Sequence, residues 1–445
     1  MADPRQVNDG ESVRRLHGDP YIGIERASLP DAVVYPVTRE EVSAVVAYAA
    51  QRSIAVTPYG AGTSAEGMTI PREGGITLNL TGLDAIEVRP GSLQATVGAG
   101  VTRSALNRSA GEHGLQFPVD PGADATLGGM AATNASGTTA VRYGAMRQNI
   151  LELEVVLADG TAIRTGARTV KTSAGYNLTH LFVGSEGTLG VICALTLRLY
   201  GIPDHVIAIR APFPTLEAAS ACATALIAAG VSVQRVELLD AGTLAAMNAY
   251  KGLDVPLLPH LFIELAGARD GAQAELAEAH EIARGLGASG WDTATAHAER
   301  QRLWEARHEV LFAMENAHPG RTCKGTDTCV PLGELPAAIA HSQQVMEDAG
   351  FPAYIIGHVG DGNYHAMFMV DTADPEEMAR QKEAEAQIVG DCLARHGTST
   401  GETGVGISKM GHVAAEHADL LPLMRGIKGL LDPAGIMNPG KIFEP

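Results

Sequence analysis

Two imidazoles stand seven positions apart in the stretch Gly357 to His365, which reads GHVGDGNYH. Between them lies Asp361-Gly362, a strong turn signal. The residues before it (Ala353 to Ile356) and after it (Tyr364 to Val370) are apolar enough to be strands. A hairpin closed over this turn brings His358 and His365 onto facing arms, within reach of one ion. Two neutral imidazoles with an open position suit zinc, manganese or iron(II). The plain alternative is a polar hairpin with two unrelated histidines, and spacing alone leaves both readings standing.

A second chemistry is written in glycine. PYGAGTSAEG, from Pro58 to Gly67, fits a loose GxGxxG/A pattern at Gly60, Gly62 and Ala65. A dinucleotide fingerprint needs a helix directly after it. MTIPREGGITLNL follows instead, so this is a glycine loop between strands. Its backbone N–H groups can form a nest for a pyrophosphate; an ordinary tight loop is the other reading. The densest block, Asp120 to Gly144, is nearly free of charge and lacks the large apolar residues of a core helix. Small side chains there let the main chain lie against a flat or extended ligand.

These segments need elements to hold them. With 445 residues, two domains are the soft expectation. From Ala32 a βαβ-like opening runs through a helix capped by Thr38, with Val42, Val45, Val46 and Ala49 inward, to a strand at Ile54–Val56. Short strands follow at 76–80, 85–88 and 94–97, then a helix at 102–113 and strands at 150–158, 161–165 and 191–199. Gly201-Ile202-Pro203 marks the domain boundary. Beyond it strands (206–210, 232–239, 261–265, 291–296, 326–330, 353–358) alternate with helices (215–229, 272–286, 299–317, 335–349, 375–396, 414–431). That is an α+β domain over an antiparallel sheet. The end, LDPAGIMNPGKIF, is too rich in glycine and proline for a helix and reads as a tail lying back on something.

The formal net charge of −18 disfavours nucleic acid and anionic membranes as partners. The five cysteines are scattered without a CxxC, which argues against a disulfide framework or an iron–sulfur cluster and fits a reducing compartment. The polar first residues do not read as a secretory signal, and no apolar run is long enough to span a membrane. The expectation is a cytoplasmic protein, or one peripheral at a membrane.

Six motifs occur in order: PYGAGTSAEG, DPGADATLGGMAATNASGTTAVRYG, VGSEGTLGVI, GHVGDGNYH, GETGVG and MNPGK. With them the chain, from about residue 30 to its end, resembles the FAD-dependent D-2-hydroxyacid dehydrogenases of the vanillyl-alcohol oxidase/p-cresol methylhydroxylase (PCMH) superfamily. Cytochrome-type D-lactate dehydrogenases, D-2-hydroxyglutarate dehydrogenase and the flavin subunit of glycolate oxidase are the members it looks like. The resemblance implies a two-domain α+β fold: a PCMH-type FAD-binding domain over residues 1–200, a cap domain over 201–395, and a C-terminal segment, 396–445, returning to the first. It implies noncovalent FAD. Gly60, Gly62, Thr63 and Ser64 would hold the pyrophosphate. Pro121, Gly122, Gly128, Gly129, Ser136, Gly137, Tyr143 and Gly144 would line the flavin. Glu186, Gly187, Gly190 and Ile192 would sit near the adenosine half, and Asn438 would reach the flavin from the tail.

The implied reaction is oxidation of a D-2-hydroxy acid, D-lactate or a relative, to the 2-oxo acid by hydride transfer to flavin N5. His358, His365 and Glu402 would hold a divalent metal, zinc or manganese with iron a further option, which binds the substrate and eases loss of its hydroxyl proton. Arg307, on one face of the 299–317 helix with Trp304, His308 and Leu311, would bind the carboxylate; Lys324 is a weaker second cation. The family's GEHG histidine, its general base, is replaced here by Thr403, which cannot accept a proton at neutral pH. Three readings compete: a variant with crippled turnover, another base such as Glu402, His308 or His396, or ionisation at the metal without a dedicated base. The rival functions are a substrate-binding or electron-carrying flavoprotein and a zinc hydrolase on the same ligands. Quinone, cytochrome c and an electron-transfer flavoprotein are the candidate electron acceptors, and a homodimer the candidate assembly.

Overall fold

The computed structural model describes residues 3–18, 28–307 and 309–444. The chain forms two compact units. The first takes Met1–Gly137, Tyr143–Ile202 and Glu402–Pro445; the second takes Thr138–Arg142 and Pro203–Gly401. Residues 396–401 stay with the second unit because Thr398 and Thr400 bridge to Cys329 and Asp327.

In the first unit, Thr38 caps the helix Arg39–Ala50 by accepting from the Glu41 N–H, and Val42, Val45, Val46 and Ala49 are buried, as the sequence leads one to expect. The flanking strands Ala32–Val34 and Val56–Tyr59 do not touch. Ile76–Asn79 lies between them, parallel to both. The tail follows the outer edge of the same sheet. Val56 donates its N–H to Ile436 O and accepts the Asn438 N–H, each at 2.8 Å. A second, antiparallel sheet runs in the order Ile86–Arg89, Gln94–Gly98, Val191–Arg198, Ile150–Val156, Ala162–Gly166.

The loop after Val56–Tyr59 contains no helix before Ile76–Asn79, in keeping with its sequence. The Asp120–Gly144 block lacks the large apolar residues of a core helix, yet it is not without helix. It holds the helix Leu127–Thr133, capped by Thr126, with Leu127, Met130 and Ala131 buried. Three modest apolar residues suffice because they fall at i, i+3 and i+4. Gly128 lets this helix lie on the backbone of Ala99: a Cβ there would stand 2.8 Å from the Ala99 carbonyl oxygen.

The second unit is built on eight antiparallel strands. Seven follow the order Asp292–Ala294, His205–Pro212, His260–Gly267, Val233–Leu239, Ala353–Gly357, Asn363–Val370, Thr322–Gly325, and Thr328–Cys329 pairs with Asn363–Val370 off that path. Successive residues alternate between two cores. Ile207, Ile209, Leu261, Ile263, Val236, Leu238, Ala366 and Phe368 pack on one face. Ala208, Phe262, Leu239, Ile356 and Met369 pack on the other. Helices cover both faces, which is why these strands read as nearly continuous apolar runs.

Three expectations need correction. The helix expected over 299–317 is two, His297–Trp304 and Val310–Ala317, parted by Glu309 in a left-handed conformation (φ 65°). The helix expected over 414–431 is also two, Met410–Glu416 and Leu421–Leu431. The helix Ala241–Lys251, capped by Asp240, went unread because the preceding strand runs straight into it. No helix among the described residues is long and apolar enough to cross a membrane.

Candidate active site

A cavity of about 240 Å³ opens in the first unit. Gly60, Gly62, Thr63, Ser64, Pro121, Gly122, Gly128, Gly129, Ser136, Glu186, Gly187, Gly190, Ile192 and Asn438 line it, and so do Glu402 and Thr403. Gly137, Tyr143 and Gly144 do not. Gly137 packs on Asp120, whose carbonyl oxygen a Cβ would meet at 2.3 Å. Tyr143 stands edge-on to Tyr200 with centroids 4.8 Å apart.

Three features of this wall fit a dinucleotide. Among the described residues no acceptor takes the N–H groups of Ala61, Gly62, Thr63 and Ser64. Among the described residues no lysine or arginine lines the cavity, so a diphosphate would rest on these backbone dipoles. Asn438 is 1% exposed; its amide nitrogen donates to Met68 O and Glu186 O, while its Oδ1 has no partner among the described residues. A buried acceptor left open in a cavity wall is costly unless a ligand N–H meets it. No histidine or cysteine lines the cavity among the described residues.

Glu186 stands on the same wall. Burial pushes its carboxyl up to about 7, against the N–H bonds it accepts from Val405 (2.7 Å) and Gly406 (2.9 Å). Those bonds fasten the segment that carries Glu402 and Thr403.

The GHVGDGNYH stretch forms the expected hairpin in the second unit. Ala353–Gly357 pairs antiparallel with Asn363–Val370, and Ile356 stands opposite His365. Gly362 is required at the turn: its φ is 91°, and a Cβ would lie 2.1 Å from the Val330 carbonyl oxygen. The two imidazoles are 5.7 Å apart, centroid to centroid, with planes at 88°. Glu402 directly follows Gly401, the second unit's last residue. His358, His365 and Glu402 each offer a ligand atom, and these atoms lie within 4.8 Å of one another. Two imidazole nitrogens and a carboxylate oxygen are a donor set suited to zinc, manganese or iron(II).

Glu237 holds this pair in place, and the sequence reading missed it. By strand alternation Glu237 and His365 stand on the same sheet face as Leu239 and Met369. Glu237 is wholly buried; Oε1 accepts from His358 Nδ1 at 2.7 Å, and Oε2 accepts from Arg307 Nε at 2.8 Å. Burial alone would raise its pKa, but the charges of His358 and Arg307 hold it below the ordinary carboxylate value. With Nδ1 bonded to Glu237, Nε2 is the atom His358 would offer to a metal. The available signal was an acid inside an apolar strand, VQRVELL. His365 is oriented by its own Nδ1, bonded to Thr326 O at 3.0 Å.

Arg307 is not on a helix. It lies in the turn after Trp304 and gives Nε and Nη2 to Glu237, so its cation already has a carboxylate partner. His308 lies outside the described residues. Lys324 is opposite Phe368 and therefore on the sheet face away from His365. His396 follows the helix Pro375–Ala394, with φ 63°, and does not line the cavity.

Comparison with known proteins places the family. Residues 202–442 match the family described as FAD linked oxidases, C-terminal domain, and residues 30–166 match the FAD binding domain family. A probable mitochondrial D-lactate dehydrogenase from Danio rerio is 41% identical over 98% of this chain and 89% of its own length. The mitochondrial D-lactate dehydrogenase [cytochrome] of Arabidopsis thaliana is 37% identical over 97% of this chain and 77% of its own. The structure of p-cresol methylhydroxylase with substrate bound superposes with a TM-score of 0.79 at 16% identity, covering 98% of this chain and 94% of that one, which speaks to the fold. The chain belongs to the FAD-linked oxidases, has D-lactate dehydrogenases among its relatives, and is an FAD-dependent oxidoreductase of that family.

Proposed function

We propose that this protein oxidises a D-2-hydroxy acid of the D-lactate type to the 2-oxo acid, with FAD held noncovalently in the first unit. The carrying observation is the cavity wall: among the described residues, N–H groups from Ala61 to Ser64 that meet no acceptor, an open acceptor on Asn438, and no lysine or arginine. Bound there, FAD supplies the hydride acceptor. A divalent metal on His358, His365 and Glu402 would supply Lewis acidity toward the substrate hydroxyl and carboxylate.

The chain's own residues do the rest. Glu237 fixes the tautomer of His358 and keeps Arg307 beside it. Glu402 lines the first unit's cavity and directly follows the last residue of the second unit in the chain. Arg307 has Nη1 left for a substrate carboxylate once Nε and Nη2 serve Glu237.

The test is anaerobic. Purified protein should show the visible flavin band, and a panel of 2-hydroxy acids should bleach it, D-lactate ahead of L-lactate. A flavin that stays oxidised with every acid on the panel would leave an electron-carrying flavoprotein as the reading. Because the Arabidopsis relative's name specifies cytochrome, cytochrome c is the first acceptor to try for reoxidation.

A further inference from the structure

Thr403 stands where the resemblance puts a proton acceptor, and a hydroxyl cannot hold a second proton at neutral pH. Its hydroxyl is nonetheless wired. Oγ1 donates to Glu66 Oε1 at 2.9 Å and accepts from Lys409 Nζ at 2.7 Å. Lys409 and Glu66 pair directly at 3.1 Å, their side chains 6% and 14% exposed. The other oxygen of Glu66 accepts from the hydroxyl of Ser408, which is exposed. Thr403, Lys409 and Ser408 are all donors toward Glu66.

The backbone is shaped to make this contact. The Glu66 carbonyl accepts the Ile407 N–H at 2.8 Å. Gly406, at φ 53°, passes so close that a Cβ would lie 2.0 Å from that carbonyl oxygen. Both charges of this ion pair also bond to one hydroxyl. Here that hydroxyl is on the cavity wall, and the other side of the carboxylate reaches the surface.

We propose that Thr403, Glu66 and Lys409 form the proton exit for the oxidation argued above, on which this inference rests. The substrate C–H bond breaks and its electron pair leaves with the hydrogen for the flavin. The substrate O–H bond breaks as the carbonyl forms, and its proton bonds to Thr403 Oγ1. The proton that Thr403 held crosses to Glu66 Oε1, leaving Thr403 neutral. Lys409 stays an ammonium throughout, and its charge stabilises the oxygen through which the proton passes. Glu66, now a neutral acid, releases the proton to solvent beside Ser408. Thr403 and Glu66 are catalytic in this scheme, and Lys409 is a positioning residue.

The experiment is anaerobic rapid mixing of the FAD-loaded protein with D-lactate, following flavin reduction in mixtures of H2O and D2O. Glu66→Gln should keep its flavin and its spectral response to oxalate, yet reduce about 10²–10⁴-fold more slowly. Thr403→Val should be slowed alike, while Thr403→Ser keeps the wire and stays within a few-fold of wild type. The wild-type rate should bend with D2O fraction as two moving protons require, a readout that needs no variant. Thr403→Val reducing as fast as Thr403→Ser, Glu66→Gln at the wild-type rate, or a straight D2O dependence overturns the proposal. If no 2-hydroxy acid bleaches the wild-type flavin, the functional reading falls and the relay with it. If wild type bleaches and the variants match it, only the relay falls.

Discussion

Glu237 and His358 are joined by a 2.7 Å bond between a fully buried carboxylate and a nearly buried imidazole. The same carboxylate neutralises Arg307. Removing it strands a cation and frees the ring of His358, the proposed metal ligand. Breaking one side of a buried pair costs about 3–5 kcal/mol, and loss of a ligand's supporting carboxylate weakens metal binding about 10–100-fold. Glu237→Ala should therefore lower the melting temperature and the zinc affinity together. An unchanged affinity in a chelator competition would refute the orienting role.

Metal and flavin should separate cleanly. The cavity residues and the imidazoles come from different stretches of chain, and His358 does not line the cavity. His358→Ala should purify with a full flavin band and little metal by elemental analysis. Substrate bleaching should be lost in this variant and in chelator-treated wild type. A variant that keeps its metal would show that the three-residue group is not the site.

Gly187 tests the flavin wall. Its φ is 74°, and a Cβ would lie 2.8 Å from Pro58 Cγ, two residues before Gly60. A left-handed non-glycine residue costs about 1–2 kcal/mol, and the clash pushes on the phosphate loop. Gly187→Ala should lower both melting temperature and flavin-to-protein ratio. Gly175, at φ 81° with nothing within 4 Å of a Cβ, is the control: Gly175→Ala should show strain without flavin loss.

Glu186 gives a pH dependence with a definite sign. Its carboxyl sits at about 7 in the fold against an ordinary 4.5. Between those values the flavin-free native protein binds more protons than the unfolded chain, so stability falls as pH rises. The contribution is complete below the unfolded value and is lost as pH passes through about 7. The shift corresponds to roughly 3 kcal/mol. Urea unfolding of wild type minus Glu186→Gln should therefore fall by about that amount between about pH 5 and pH 8; a flat difference sinks the assignment.

What the sequence revealed and what it hid follow from reach. The hairpin was legible because Asp361-Gly362 sits between two apolar runs, and the glycine loop because no helix pattern follows Gly60. The tail was legible because Pro439 and Gly440 rule out a helix. Glu237 was hidden because its meaning depends on strand register, which places it beside His358, 121 positions away. The break at Glu309 was hidden because EARHEVLF offers no glycine or proline, and only the fold imposes a left-handed glutamate. Glu66 was hidden because Thr403 meets it across 337 positions.

That last contact decides what histidine at position 403 would do. If Thr403 merely marks a lost base, Thr403→His should accelerate flavin reduction by the factor general bases usually supply, about 10²–10⁴. The observed neighbours argue otherwise. An imidazole at this position would lose the hydroxyl's bond to Glu66 and face the Lys409 ammonium, 2.7 Å from the present Oγ1. A like charge at that range disfavours the protonated ring, so the histidine would be a poor acceptor there. Thr403→His should reduce no faster than wild type, and Thr403→His with Lys409→Met should outrun Thr403→His alone. Rapid-mixing rates on the three proteins decide it: a single substitution that speeds reduction a hundredfold would make Thr403 a defect, whereas a gain that appears only with the charge removed makes it one part of a working wire.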